Sequence, residues 1–241
     1  MERIEIIRMT EIPDNAMNLT LTKLYEQKWN KYQTIVKLFS GVVSLANIYL
    51  LTTSNNYFNA KVRAMILGKE TQGWGGEFNG IGSPSIQELQ QLYTLYTYVE
   101  KGNGAAFQRF VNWIPTIMDG VEVIANNIVK IGKASTNGHY IDVARASEEN
   151  LALLKDEITI TQPDIVICPT SNSETYNMSL STQLGKFSQK TIDEHMYLRY
   201  YESFPGIPFI ICPHPQGKST HDINRIKGII SEYVHAIAQK Y

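Results

Sequence analysis

The sequence predicts an α/β fold in which a parallel sheet is covered by helices. Three observations carry that prediction. Four segments are apolar and β-branched almost without alternation: "KVRAMILG" (61–68), "GVEVIANNIVKIG" (120–132), "IVICPTS" (165–171) and "GIPFIICPHP" (206–215). Such runs mark strands buried on both faces, as in a parallel sheet. Segments of helical periodicity separate them, which is the pattern of strands joined by crossover helices. Finally, the runs end in glycine, proline and polar side chains, and ligands of open α/β sheets sit beyond the carboxyl ends of the strands.

The elements follow in order. Residues 1–16 read as a short strand or arm. From about Leu19 to Leu51 the pattern is helical, with Leu24, Trp29, Tyr32 and Ile35 spaced for one face. "TTSNNYFN" (52–59) is a polar break before the first strand. "SIQELQQLYTLYTYVEKG" (85–102) reads as a helix with Ser85 as N-cap and Gly102 near its end. "AAFQRFVNWIPTIM" (105–118) is a second helix that Pro115 should bend or end. "EENLALLKDEITITQ" opens as a helix after Ser147, and "HDINRIKGIISEYVHAIAQK" (221–240) closes the chain. The expected organisation is a helical extension over 1–60 packed on an α/β domain over 61–241, together one globular unit.

Composition excludes several classes. A net charge of −1 gives no global pull toward nucleic acid or an anionic membrane, so polyanion binding would need a local basic patch. The two cysteines, Cys168 and Cys212, lie in apolar runs without CxxC spacing; they read as small core residues in a reducing compartment. The start is charged from its second residue, so no cleavable signal peptide is expected. The most apolar segment, Thr34 to Leu51, contains Lys37, Ser40, Gly41, Ser44 and Asn47. A membrane span needs roughly 20 mostly apolar residues, and this segment reads as a buried helix. A cytoplasmic monomer without cofactor or metal, and without membrane contact, is the expectation.

The strand ends bring together Gly68-Lys69-Glu70, Pro169-Thr170-Ser171-Asn172 and Pro213-His214-Pro215-Gln216. Known phosphate motifs fail there: Gly68 to Gly73 sets the frame of a phosphate-binding loop, but Trp74-Gly75 stand where Lys-Ser is needed. "GIGSPS" has no third glycine and no preceding strand. The five histidines have no HExxH or HxH spacing, and no G-x-S-x-G elbow exists. His214 stands out because Pro213 and Pro215 fix the backbone on both sides and hold the imidazole on a stiff ledge. For a lone histidine the ordinary alternative is a solvated strand end. Glu70 reads equally as a carboxylate paired with Lys69 or Lys61, and Trp74 as a lid over the sheet edge. Of Asn126 and Asn127, at least one should be buried among apolar neighbours and need partners. It serves either as a tie to loop backbone or as a reader of a ligand edge.

With these residues in place, the chain resembles the uracil-DNA glycosylase superfamily. "GKETQGW" stands where that family carries G-Q-D-P-Y-H or G-E-x-P-G, and "HPQGKS" stands where it carries H-P-S-P. Gly217 replaces the second proline and Gln216 the serine. The likeness spans about Val62 to Gln239. It implies a three-layer sandwich with a central, mostly four-stranded parallel sheet flanked by helices. It also implies hydrolysis of the N-glycosidic bond of uracil or another modified base in single- or double-stranded DNA, with the nucleotide flipped into a pocket. Carried over, Glu70 and His214 are the catalytic pair: Glu70 orients or deprotonates the water and stabilises the cation, and His214 donates to the departing base. Gly68, Lys69 and Thr71 bring backbone to the base, Trp74 or Phe78 stacks on it, and Asn127 or Asn126 reads its edge. Gln216, Gly217, Lys218 and Ser219 form a loop entering the duplex, with Lys218 and Arg225 meeting phosphates. Two other classes stay open: a non-catalytic nucleic-acid-binding module of the same fold, and a hydrolase of small N-glycosides such as free nucleosides.

Overall fold

The structure is a computed structural model and describes residues 3–70, 73–78, 84–101, 105–134, 138–171 and 173–240. In chain order the elements are α1 (Arg3–Met9), α2 (Ala16–Ser40), α3 (Asn55–Phe58), β1 (Val62–Gly68), α4 (Ile86–Thr94), α5 (Ala106–Trp113), β2 (Val121–Asn127) and α6 (Ile141–Leu151). Then follow α7 (Leu153–Thr161), β3 (Ile165–Cys168), α8 (Glu174–Leu184), β4 (Phe187–Asp193), β5 (Met196–Tyr201), β6 (Phe209–Ile211) and α9 (Thr220–Ala238). The chain forms two compact units. The first joins Met1–Asn55, Lys69–Glu100 and Asn127–Thr161; the second joins Asn56–Gly68, Lys101–Asn126 and Gln162–Tyr241. Of the segment expected as an N-terminal extension, residues 1–55 share a unit with two later stretches of chain, and residues 56–60 belong to the second unit.

The second unit holds the sheet. Its order is β2-β1-β3-β6-β5-β4. β1 pairs in parallel with β3, and β3 with β6; β5 runs antiparallel to β6, and β4 antiparallel to β5. The α/β class stands, but the sheet is six-stranded and mixed rather than four-stranded and parallel. The two extra strands are a hairpin at the edge, where β4 is mostly exposed and so lacks the continuous apolar signature of the others. α5 and α9 pack on the sheet: Phe110 and Val111 from α5 and Ile226, Ile230 and Val234 from α9 share a core with Val62, Ala64, Ile66, Ile165, Ile167 and Ile210. Pro115 sits in a short 3-10 turn, Ile114–Thr116, that ends α5.

The first unit is helical with an aromatic core of Tyr25, Tyr32, Tyr49, Trp74, Phe78 and Tyr93. The residues expected as a strand or arm form α1 instead, closed by Thr10, whose amide donates to Ile7 O at 3.0 Å and whose hydroxyl donates to Ile6 O at 2.9 Å. The apolar run from Thr34 is helical only to Ser40. A turn follows over 41–43, bridge pairing begins at Leu45, and the amides of Ala46 and Tyr49 donate to Gly132 O and Lys130 O, both at 3.0 Å. This pairing satisfies the buried backbone that a continued helix would have satisfied internally. The helix expected after Ser147 is two: α6 begins at Ile141, and the left-handed Ala152, φ +49°, separates it from α7. Inside this unit Lys130 and Glu157 form a fully buried ion pair, with Nζ to Oε2 at 2.5 Å.

Ser85 caps α4 as expected. Its hydroxyl accepts from Glu88 N at 3.2 Å, while Glu88 Oε2 accepts from Ser85 N at 2.9 Å, a reciprocal capping box. A five-residue π-helical turn, Leu95–Val99, extends α4; Gly102, expected near the helix end, lies outside the described residues. Ser85→Ala removes one partner of the box, and a loss of about 1 kcal/mol is expected in urea unfolding of the full chain.

Candidate functional site at the carboxyl edge of the sheet

Because β1, β3 and β6 are parallel, Gly68 and the loops after Cys168 and Ile211 emerge at the same edge of the second unit's sheet. The last two are laced together. Cys212 N donates to Cys168 O at 3.0 Å, and Ser171 N donates to Cys212 O at 2.9 Å. His214 N donates to Ser171 Oγ at 3.4 Å, and Gln216 N donates to His214 Nδ1 at 3.2 Å. Nδ1 is thus an acceptor, so in the neutral ring the proton sits on Nε2 and that atom is a donor. The half-buried imidazole lies nearly parallel to the ring of Phe107 on α5, 6° between planes and 6.2 Å between centroids. Phe107 carries no motif, and only the fold brings it within reach of a histidine 107 positions later.

The loop after His214 is a tight turn. Gln216, Gly217, Lys218 and Ser219 are exposed, and Gly217 has φ +75°, the left-handed backbone that glycine adopts at least cost. Ser219 serves as N-cap of α9: its hydroxyl accepts from Asp222 N at 3.1 Å and donates to Asp222 Oδ2 at 2.8 Å. That hydroxyl holds the Asp222 carboxyl below its ordinary range. Arg225 is engaged by Asp193 at 3.2 Å and Glu194 at 3.9 Å, so its charge is already balanced by the β4–β5 turn. Of the two cations expected at phosphates, Lys218 is the exposed one. Asn126 is fully buried, and its amide points to Met65 Sδ of β1 at 3.9 Å, inside the sheet.

The remaining candidates belong to the first unit. Glu70 follows β1 by two residues and is half-buried, with Oε2 3.5 Å from His139 Nδ1. Sequence spacing gave no hint of His139, which lies 69 positions away. Lys69 O accepts from Val129 N at 3.0 Å and ties the segment after β1 to the segment after β2. Asn127 is buried. Trp74 and Phe78 are core side chains: Trp74 meets Tyr49 at 4.7 Å between centroids and Tyr96 edge-on at 5.9 Å, and Phe78 meets Tyr32 edge-on at 5.8 Å. Thr71, like Asn172, lies outside the described residues.

The glycines around Trp74 have a packing reason. Gly73 has φ +59°, and a Cβ there would meet Ala134 O at 2.7 Å; Gly75 has φ +65°, and a Cβ would meet Leu89 Cδ2 at 2.9 Å. The Asn47 amide donates to Gly75 O at 2.9 Å and to Gly76 O at 3.2 Å. Their backbone freedom seats the turn within its own unit.

Burial pushes the Cys168 thiol up to about 12 and the Cys212 thiol higher still, as suits inert core thiols rather than nucleophiles. Among the described residues no group of three or more His, Cys, Asp or Glu is placed to hold a metal ion, and no helix is long and apolar enough to cross a membrane. Fold and edge together define an α/β protein that presents an imidazole donor beside an aromatic ring at the carboxyl end of its parallel strands. Compared with protein-family models and with curated proteins, the chain matches none.

Proposed function

We propose that the chain is a uracil-DNA-glycosylase-like hydrolase that breaks the N-glycosidic bond of uracil or another modified base in DNA. The observation that carries the proposal is His214: it follows the last parallel strand, at the sheet edge where α/β proteins bind ligands, and its Nδ1 accepts from Gln216 N, which makes Nε2 the donor of the neutral ring. The parallel run β1-β3-β6 supports it, with the histidine following the last of these strands; Glu70 and Asn127 enter this reading through the sequence resemblance. In this reading β2, β1, β3 and β6 are the glycosylase sheet, and β4–β5 is an insertion at its edge.

The reaction runs through an oxocarbenium sugar and a departing anionic base. The electron pair of the C–N bond leaves with the base, water adds to the sugar carbon, and the proton that water loses passes to the Glu70 carboxylate. The Glu70 carboxylate orients the water and stabilises the cation. His214 Nε2–H donates to the base oxygen on which charge develops. Asn127 reads the base edge, because the Asn126 amide is turned to Met65. Phe107, parallel to the imidazole, offers the stacking face that the buried Trp74 and Phe78 do not. Lys218 meets a phosphate.

One observation favours the smaller substrate. Arg225 is neutralised by Asp193 and Glu194, and the net charge is −1, so a free nucleoside needs nothing the chain lacks. The deciding experiment measures base release from uracil-containing single- and double-stranded DNA and from deoxyuridine, for wild type and Glu70→Gln. The proposal expects release from DNA that falls about a hundredfold to ten-thousandfold in the variant. Release from deoxyuridine alone moves the activity to small nucleosides. Salt-sensitive DNA binding without release leaves a binding module.

A further inference from the structure

Resting on the role given above to His214, we propose that Ser171 is a positioning residue that holds this imidazole in its donor geometry. The segment Pro213-His214-Pro215 has one backbone donor, because neither proline carries an N–H. That donor, His214 N, goes to Ser171 Oγ at 3.4 Å. Ser171 returns a bond from its own amide to Cys212 O at 2.9 Å. One residue thus grips β6's continuation on both sides of Pro213, by side chain toward His214 and by backbone toward Cys212.

The backbone of Ser171 carries the second observation. Its φ is +58°, one of four left-handed non-glycine residues among those described. Glycine relieves that conformation, and asparagine tolerates it better than serine. Strained conformations persist where the surroundings over-determine them, and they concentrate at functional sites. Serine here supplies what glycine cannot, an acceptor oxygen for the His214 amide. With the amide held, the Gln216 N–H can stay on Nδ1 and keep the proton on Nε2. A donor displaced by even about 1 Å can lower a rate on the order of a hundredfold.

The test uses three variants of the full chain. Ser171→Ala removes the oxygen, Ser171→Gly removes it while relieving the backbone, and Ser171→Asn restores an acceptor in a residue that tolerates left-handed φ. The first readout needs no substrate: the ¹⁵N signals of the His214 ring. Wild type and Ser171→Asn are expected to show the widely separated pair of a fixed Nε2–H tautomer. In Ser171→Ala and Ser171→Gly the separation should narrow as the ring exchanges tautomers. The second readout is kcat against KM for base release, where kcat should fall about tenfold or more in the Ala and Gly variants with KM within about twofold. Because the glycine variant removes the backbone strain, it should fold. An unchanged pair of ring signals in that variant overturns the proposal. If wild type releases no base, the glycosylase reading fails on its own, and the ring signals still decide the role of Ser171.

Discussion

His214→Ala is expected to lower single-turnover base release about a hundredfold to a thousandfold while leaving the KM for uracil-containing DNA nearly unchanged. The size follows from where the donor acts. A hydrogen bond to a neutral ground-state carbonyl has a net value of about 0.5–1.5 kcal/mol, because water offers the same bond to the free substrate. A preorganised donor aimed at an oxygen that gains charge in the transition state contributes about 2.7–4 kcal/mol. The excess belongs to the transition state and appears in kcat. The structure prepares the donor in three ways: Gln216 N fixes the tautomer, Ser171 Oγ holds the amide, and Phe107 lies against the ring plane. None of the three depends on a charged imidazole. His214→Gln keeps a side-chain N–H but lacks the ring that Gln216 N steadies, so it should recover only part of the loss. A fall confined to KM would show that His214 binds the base without stabilising its departure. Release unchanged in His214→Ala, with circular dichroism intact, would remove the residue from the chemistry.

What was legible in the sequence follows from how each segment is buried. β1, β2, β3 and β6 are covered on both faces, so their residues are apolar without a break, and a reader finds them as continuous runs. β4 and β5 were missed for the opposite reason. β4 has exposed Ser188, Gln189, Lys190 and Thr191, and β5 carries Arg199, a cation that looks foreign to a strand. Yet Arg199 is buried, with Nε to Gln189 Oε1 at 2.7 Å, one terminal nitrogen to Asn177 Oδ1 at 2.8 Å and the guanidinium 4.4 Å above the Phe187 ring. The available signal was a run of β-favouring residues, with Met196, Leu198 and Tyr200 on one face and Tyr197, Arg199 and Tyr201 on the other.

The helix boundaries show the same logic. Ser85 was found because capping needs a hydroxyl and a glutamate three positions on, both local in sequence. The end of α2 at Ser40 was not found, because Leu45 to Leu51 is apolar enough for a helix. Its extended form is set by pairing with residues 130–133, far along the chain. At the candidate site, His214 announced itself through its flanking prolines. Ser171 was placed near it by the strand ends, though not its bond to the His214 amide, while Phe107 and His139 were not found, because each acquires its neighbour only through folding.

Glu157→Gln is expected to destabilise the first unit by about 3 to 5 kcal/mol. Lys130 and Glu157 are 3% and 0% exposed, so neither charge is shared with water. The Glu157 carboxylate accepts from Lys130 on Oε2 and from the Tyr25 hydroxyl on Oε1 at 2.9 Å, and the Tyr25 oxygen in turn accepts from Leu51 N at 3.2 Å. Lys130 Nζ also stands 5.7 Å from the centre of the Tyr49 ring. Burial lowers the proton affinity of Lys130, and Glu157 pulls it back up. Glutamine keeps the shape and an acceptor for Tyr25, so its effect isolates the lost charge. The ammonium must then either stay charged in an apolar interior or give up its proton, and the second route limits the damage. Lys130→Met combined with Glu157→Gln removes both charges and should recover most of the loss, since a buried pair costs nearly as much to desolvate as it returns. Trp29 and Trp74 lie in this unit and Trp113 in the other. Urea unfolding followed by tryptophan fluorescence in a Trp113→Phe background therefore reports the first unit alone. Equal losses in the single and double variants would mean that packing around Tyr25 and Tyr49, and not the isolated charge, sets the cost.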